Sequence, residues 1–353
     1  MDDQVTLLEL HGASRNFVKR LDLAARIAGY CGAVVQEKVV HAVDGVDMEI
    51  RRGEVVGLVG ESGCGKSTLG RMIAGLLQPT AGEILYRGKP VNRLVSAEGR
   101  RAALKIQMIF QDPFSSLNPR MNIAGIIGEA PLVHRIVPRE GLNDYIDALM
   151  IRCGIDPGCK RRFPHQFSGG QRQRIGIARA LAVNPELIVC DEAVSSLDVS
   201  IQAQILNLFM KLREELRLTY LFISHDIGVV EHVSDRVAVM YLGRIVETGK
   251  TGDLFARPAH PYTRALLEGV PRLERRRTDY APVAGEIPSP LDPPAGCHFH
   301  PRCPHAEDWC WEKKPEMEQI EPGHFVACHR EHGDGGNALT SGAGRTGNGG
   351  RKR

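Results

Sequence analysis

Gly60-Glu61-Ser62-Gly63-Cys64-Gly65-Lys66-Ser67 is a complete G-x-x-x-x-G-K-[ST] pattern, and its flanks are the ones such a loop needs. Before it runs Val55-Val56-Gly57-Leu58-Val59, an apolar stretch of the length and composition of a buried strand. After it runs Ser67-Thr68-Leu69-Gly70-Arg71-Met72-Ile73-Ala74, the beginning of a helix. Glycines let the backbone wrap an anion, so that successive N–H groups and the helix N-terminus converge on a phosphate. Lys66 then reaches the β- and γ-phosphates, and the Ser67 hydroxyl is placed to ligate Mg²⁺. With glycine near ~7% of residues, chance yields the pattern in roughly one chain in a hundred of this size, and the strand–loop–helix context lowers that further. The stretch reads as a nucleotide-binding loop in which residues 60–68 line the phosphates.

The rest of the chain frames that loop. Its 353 residues allow about two domains. A net charge of +3 gives no footprint for nucleic acid, so no nucleic-acid partner is expected. No apolar run approaches the roughly 18 residues that cross a bilayer. The start, Met1-Asp2-Asp3-Gln4, lacks the layout of a signal peptide, so a soluble or peripheral cytosolic protein is expected.

Up to about residue 255, apolar strands alternate with longer amphipathic segments, as in an α/β sheet with helices on its faces. Strand candidates are 55–59, 187–190 and 220–223, and 237–241 with 245–248 flank Leu242-Gly243-Arg244 as a hairpin. Residues 102–182 are more helical and suggest a helical lobe inserted into the sheet domain. After Phe255, Pro258, Pro261, Pro271, Pro282, Pro288, Pro290, Pro293 and Pro294 mark a linker into a small cysteine-bearing module, 256–330. The glycine-rich segment 331–353, ending in Arg351-Lys352-Arg353, is expected to be disordered.

Five further elements follow the loop in order. Gln111 stands in Ile109-Phe110-Gln111-Asp112-Pro113, and Ser168-Gly169-Gly170-Gln171 precedes an arginine-rich helical stretch. Leu187-Ile188-Val189-Cys190-Asp191-Glu192 ends an apolar strand in two carboxylates. Ser195-Ser196-Leu197-Asp198 follows, and Ile223-Ser224-His225-Asp226 closes another strand. Each alone reads as readily as a turn residue, a loop, a solvated acidic pair or a structural histidine.

The ordered set resembles the ATP-binding cassette (ABC) ATPases over residues 1 to about 255. The resemblance implies a P-loop cassette: a RecA-like core, an N-terminal antiparallel β subdomain and an inserted helical subdomain, here with the C-terminal cysteine module appended. It implies Mg²⁺ beside Ser67, Gln111 and Asp191, with few protein ligands and several waters. Glu192 is the expected general base or water positioner, and His225 the residue that contacts the γ-phosphate and orients that water. Ser168, Gly169, Gly170 and Gln171 resemble the signature, which meets the nucleotide held by a partner subunit, and 195–198 resemble the loop at that dimer interface. Phe17 is the expected adenine stacker by position, with Tyr30 the alternative. Phe167, Ala193 and Ser196 depart from the usual Leu, Pro and Ala of the family, and none of these changes removes a catalytic side chain.

Within the family the chain looks like the ATPase subunits of peptide importers, a branch that includes nickel and glutathione importers. The matching stretches are Ser116-Leu117-Asn118-Pro119-Arg120-Met121, His260-Pro261-Tyr262-Thr263-Arg264-Ala265-Leu266-Leu267 and Gly296-Cys297-His298-Phe299-His300-Pro301-Arg302-Cys303-Pro304. The segment between Phe17 and His41 resembles the second ATPase subunit of dipeptide and oligopeptide systems. The implied partners are a sister ATPase, two permeases and an extracytoplasmic solute-binding protein, and the implied place is the cytoplasmic face of the membrane. A cassette of DNA repair would carry coiled-coil insertions, and a translation factor two cassettes; neither pattern is present. A binding module without hydrolysis would lose Glu192 or His225.

Cys297, Cys303, Cys310 and Cys328 crowd a proline-rich module expected in a reducing compartment, which favours a metal over disulfides. Their spacing lacks the C-x2-C pairs of zinc ribbons and bacterial ferredoxins, and nearby His298, His300, His305 and His329 keep zinc open. The resemblance implies a [4Fe–4S] cluster, since several peptide-importer ATPases carry one in this module; Zn²⁺ is the alternative.

Overall fold

The computed structural model describes residues 5–19, 38–91, 103–112, 114–269 and 285–332. Two long strands open it, β1 (Thr6–Lys19) and β2 (Lys38–Arg51), paired antiparallel. Next come β3 (Val55–Val59), α1 (Lys66–Ile73), β4 (Ala81–Tyr86) and β5 (Lys89–Pro90). Strands β2, β1, β4 and β5, in that order, form a four-stranded antiparallel sheet.

The second sheet is built on β3. It continues with β6 (Ile106–Ile109), β7 (Leu187–Asp191), β8 (Thr219–Ile223), β9 (Arg236–Tyr241) and β10 (Arg244–Lys250). A C-terminal hairpin of β11 (Glu318–Glu321) and β12 (His324–Val326) completes it. The strand order is β11-β12-β10-β9-β3-β8-β7-β6, parallel from β9 through β6 and antiparallel beyond β9. β3, β7 and β8 are buried at every position, as expected of parallel strands covered on both faces. Their alternate residues enter two cores. Val55, Val59, Ile188, Cys190, Tyr220 and Phe222 face one, while Val56, Leu58, Leu187, Val189, Leu221 and Ile223 face the other with Leu69 and Ile73 of α1.

Between β6 and β7 lie α2 (Ile123–Val133), α3 (Leu142–Arg152) and α4 (Gly169–Leu181). Residues 106–109, inside the stretch read as helical, are a sheet strand instead. Four residues are too few for periodicity to separate strand from helix, and pairing with β7 decides the matter. The last helices are α5 (Val199–Leu216), α6 (Ile227–Val233), α7 (Thr251–Ala256), α8 (Pro261–Glu268) and α9 (Asp308–Glu312).

The C-terminal segment does not stand apart from this core. β12 pairs with β10 and so extends the main sheet. Tyr262, Leu267 and Phe299 belong to the main core, with Cys297 and Cys303 packed against it. A segment this short buries little apolar surface on its own, and joining an existing sheet supplies the missing core. Of the stretch 331–353, expected to be disordered, residues 331 and 332 end a short 3-10 helix (His329–His332) that continues from Cys328, and 333–353 lie outside the described residues.

Candidate nucleotide-binding site

β3 delivers the chain into the phosphate loop, and the loop's glycines take the conformations that only glycine adopts cheaply. Gly63 (φ 79°) and Gly65 (φ 109°) have left-handed or neighbouring backbone, and Gly65 is the N-cap of α1. Ser62 and Gly63 are exposed at the apex while Cys64 is buried beneath. The Lys66 ammonium, almost fully buried, donates to the carbonyls of Gly60 and Glu61, both at 2.8 Å. Burial pushes the Cys64 thiol up, against the nearby charge of Lys66, so it stays a neutral packing group.

The expected Mg²⁺ ligands divide into a pair and a single residue. Ser67 Oγ donates to Asp191 Oδ1 at 2.7 Å. Gln111 Nε2 instead donates to Glu192 Oε2 at 2.8 Å, so Gln111 bonds to the neighbouring carboxylate. A hydroxyl and a carboxylate oxygen in contact at the foot of the phosphate loop are hard donors, which fit Mg²⁺. Burial is the main influence on Asp191 and raises its pKa; the Ser67 hydrogen bond and the charges of Arg71 and Lys66 oppose that.

Asp191 is the last residue of β7, and the next residue, Glu192, has left-handed backbone (φ 49°). That turn carries the chain out of the sheet, so adjacent carboxylates project differently, at a local strain typical of functional sites. Glu192 Oε2 lies 3.2 Å from His225 Nδ1, and so meets both Gln111 and His225. His225 is exposed just beyond β8. The segment 195–198 is tied to this cluster: Ser195 Oγ donates to the Glu192 carbonyl at 2.9 Å, and Ser196 Oγ to that of Gln111 at 3.4 Å. Serine at 196 therefore links two loops, a bond that the usual alanine cannot make.

Ser168 is the N-cap of α4 and forms a reciprocal capping box with Gln171, whose side chain accepts from the Ser168 N–H at 3.0 Å. Gln171 is thereby occupied in shaping the helix start, while Ser168 and Gly169 remain exposed. Phe167 is buried, with the Arg162 guanidinium 4.9 Å from its ring centre. Phe17, half-buried on β1, carries the Arg15 guanidinium 4.8 Å from its ring centre. Tyr30 lies outside the described residues.

The four cysteines do not form a ligand set. They are neighbours: Cys297 N–H donates to the Cys310 carbonyl at 2.9 Å, and the Cys297 thiol is pushed up to about 11, chiefly by burial and then by Cys310, Cys328 and Cys303. Yet among the described residues no three His, Cys, Asp or Glu side chains come together as a group that could hold a metal. Three of the histidines have one ring nitrogen bonded to a backbone carbonyl, His298 Nδ1 to that of Leu242, His300 Nδ1 to that of Cys297 and His329 Nε2 to that of Lys313. As placed, these residues fit neither a [4Fe–4S] cluster nor Zn²⁺, both of which need convergent ligands.

Sequence reading missed a layer of residues beneath the phosphate loop. Arg302 grips the Glu61 carboxylate, and the Tyr262 hydroxyl accepts from the Glu61 N–H. Both lie in stretches that resemble peptide-importer ATPases, but nothing in their spacing points to a loop about two hundred residues earlier.

Comparison with known proteins agrees with this geometry. Residues 43–195 match the ABC transporter family, and residues 246–310 match the family described as "Oligopeptide/dipeptide transporter, C-terminal region". The oligopeptide transport ATP-binding protein AppF of Bacillus subtilis is 49% identical, over 93% of this chain and 98% of that protein. The dipeptide transport ATP-binding protein DppF of Haemophilus influenzae is 46% identical, over 84% of this chain and 91% of its own. Among solved structures, the cassette MJ0796, a dimer in a post-hydrolysis state bound to ADP and Pi, superposes with a TM-score of 0.58. That match has 27% identity and covers 69% of this chain and 99% of that one. CbiO1 of Clostridium perfringens, part of the ABC transporter complex cbiONQ, also gives 0.58, at 29% identity over 71% and 91%. A glycine-rich loop on a parallel sheet, a carboxylate pair at the end of a neighbouring strand and a capped arginine-rich helix therefore fit one lineage, and this chain is a member of the ABC transporter ATPases, in the branch of the oligopeptide and dipeptide transport ATP-binding proteins.

Proposed function

We propose that this ABC-type ATPase couples ATP binding and hydrolysis to the uptake of di- or oligopeptides through partner permeases. The observation that carries the reading is the contact of Glu192 with both Gln111 and His225, next to the Ser67–Asp191 pair. In this reading residues 60–68 cradle the phosphates, with Lys66 on the β- and γ-phosphates and Phe17 against the adenine. Ser67 and Asp191 would hold Mg²⁺, with Gln111 as a further oxygen donor, and the ion when bound would neutralise charge on the transferred phosphoryl group. Glu192 takes a proton from the attacking water, and His225 orients that water.

Ser168, Gly169 and Gly170 at the start of α4, the first two exposed and the third half-buried, serve the nucleotide of a second cassette, because a 13-residue helix presents its positive end there. Ser195, Ser196, Leu197 and Asp198 lie beside that interface. The partners are a sister ATPase, two permeases and a solute-binding protein. The naming of the relatives for oligopeptide and dipeptide transport supports peptide as cargo; nickel, glutathione or another solute is the alternative. No helix among the described residues is long and apolar enough to cross a membrane, which agrees with a peripheral subunit held at the cytoplasmic face by its permeases.

Ser168→Arg tests the shared site. A bulky side chain at the exposed helix start blocks approach to the γ-phosphate of the partner's ATP, while removal of the cap costs only about 1 kcal/mol. Nucleotide crosslinking in the assembled transporter is expected to fall on the partner and persist on this chain; the reverse pattern defeats the shared-site reading.

A separate proposal concerns the cysteine-bearing segment: that the four neighbouring cysteines carry a [4Fe–4S] cluster, with Zn²⁺ as the alternative. The clustering of thiols around Cys297 supports it, the lack of convergence opposes it, and no step of the cycle passes through it. Anaerobic purification is expected to give brown protein with iron and sulfide near about four each per chain. Colourless protein with stoichiometric zinc selects the alternative, and metal-free protein overturns both.

A further inference from the structure

Glu61 is a junction between the phosphate loop and the C-terminal segment. Its N–H donates to the Tyr262 hydroxyl at 2.9 Å, its carbonyl accepts from Lys66 Nζ at 2.8 Å, and its carboxylate accepts two bonds from Arg302, at 2.8 and 2.9 Å. The Arg302 side chain is only 3% exposed, and one of its nitrogens also reaches the Tyr241 hydroxyl at 3.4 Å. Tyr241, Tyr262 and Phe299 pack mutually, with ring centres 4.7 to 5.4 Å apart, and form a rigid floor under the loop.

A forked arginine–carboxylate pair fixes orientation as well as charge, so the loop's entry from β3 is set by a residue 241 positions later in the chain. A carboxylate within an anion-binding loop also repels a triphosphate unless it is neutralised. Arg302 supplies that neutralisation from below, where it does not compete with Lys66.

We propose that Arg302 and Tyr262 are positioning residues for ATP binding: the C-terminal segment orders the phosphate loop and cancels the charge of Glu61. This rests on the assignment of residues 60–67 as the phosphate loop. It makes the cysteine-bearing segment part of the nucleotide site's support, since Arg302 immediately precedes Cys303 and nearby Phe299 belongs to the main core.

The test is titration of the full chain with a fluorescent ATP analogue, together with steady-state hydrolysis by the assembled transporter. Arg302→Met is expected to weaken analogue binding about tenfold, because it removes a charge-assisted pair that acts on the phosphates through Glu61. KM for ATP rises and kcat stays within about twofold, the signature of weakened uniform binding. Tyr262→Phe, which removes one hydrogen bond, is expected to weaken binding about threefold. Adding Glu61→Gln to Arg302→Met removes the uncompensated negative charge and recovers most of the affinity, which a merely structural role would not do. If Arg302→Met does not fold, the comparison is made between Arg302→Gln and Glu61→Gln/Arg302→Gln, which also removes the charge.

Unchanged affinity in the arginine variant, or a double variant that binds no better than the single one, overturns the inference. Lys66→Ala separates this failure from that of the site itself: if Lys66→Ala still binds the analogue at wild-type affinity, the phosphate-loop assignment is wrong.

Discussion

Glu192→Gln is expected to lower ATP turnover in the assembled transporter by about 10²–10⁴-fold while leaving ATP binding intact. Glutamine keeps the size of the side chain and its hydrogen bond to Gln111, but it cannot accept the proton of the attacking water. The left-handed backbone at 192 and the neighbours Gln111 and His225 are kept, so the geometry survives while the base is removed. ATP should then trap the two cassettes closed, visible as a nucleotide-dependent dimer in gel filtration or by light scattering. Near-normal hydrolysis by this variant would remove Glu192 from the role of base.

Gly65→Ala is expected to reduce ATP affinity about 100-fold or more, by a route that touches no ligand atom. A Cβ at this position would lie 2.1 Å from the Ala42 carbonyl oxygen, and the residue's φ of 109° is one that L side chains rarely adopt. Conformational strain of this kind costs about 1–3 kcal/mol before any clash is counted. Because Gly65 is also the N-cap of α1, relief of the clash moves the helix N-terminus that points at the phosphates. Calorimetric ATP titration with circular dichroism distinguishes a deformed loop from an unfolded chain. Affinity within about threefold of the parent, with the fold intact, would mean that β2 yields to the added methyl.

The two variants probe different kinds of information. Glu192 was legible from its place after an apolar run, because a parallel strand ending in two carboxylates is a local pattern. The phosphate loop was legible for the same reason: its glycines are required by backbone conformations that span a few residues. Strand β6 was hidden, since Ile106-Gln107-Met108-Ile109 is short enough to continue a helical stretch and becomes a strand only by pairing with β7. The link from Ser196 to Gln111 was hidden as well, and it turns a departure from the family pattern into a bond between two loops of the site.

The sequence by itself determined the strand–loop–helix unit and the family it resembles, and it supplied the residues proposed to line the nucleotide. Each of those rests on contiguous residues whose backbone and side-chain chemistry act within a turn or two. Tertiary structure alone decided that β12 closes onto β10, that the four cysteines become neighbours without converging, and that Arg302 and Tyr262 meet Glu61. Those contacts join residues some eighty to 241 positions apart, or depend on how side chains turn within a shared core. The free energy that selects them comes from burying Tyr241, Tyr262 and Phe299 together, a property of the packed chain that no local pattern encodes.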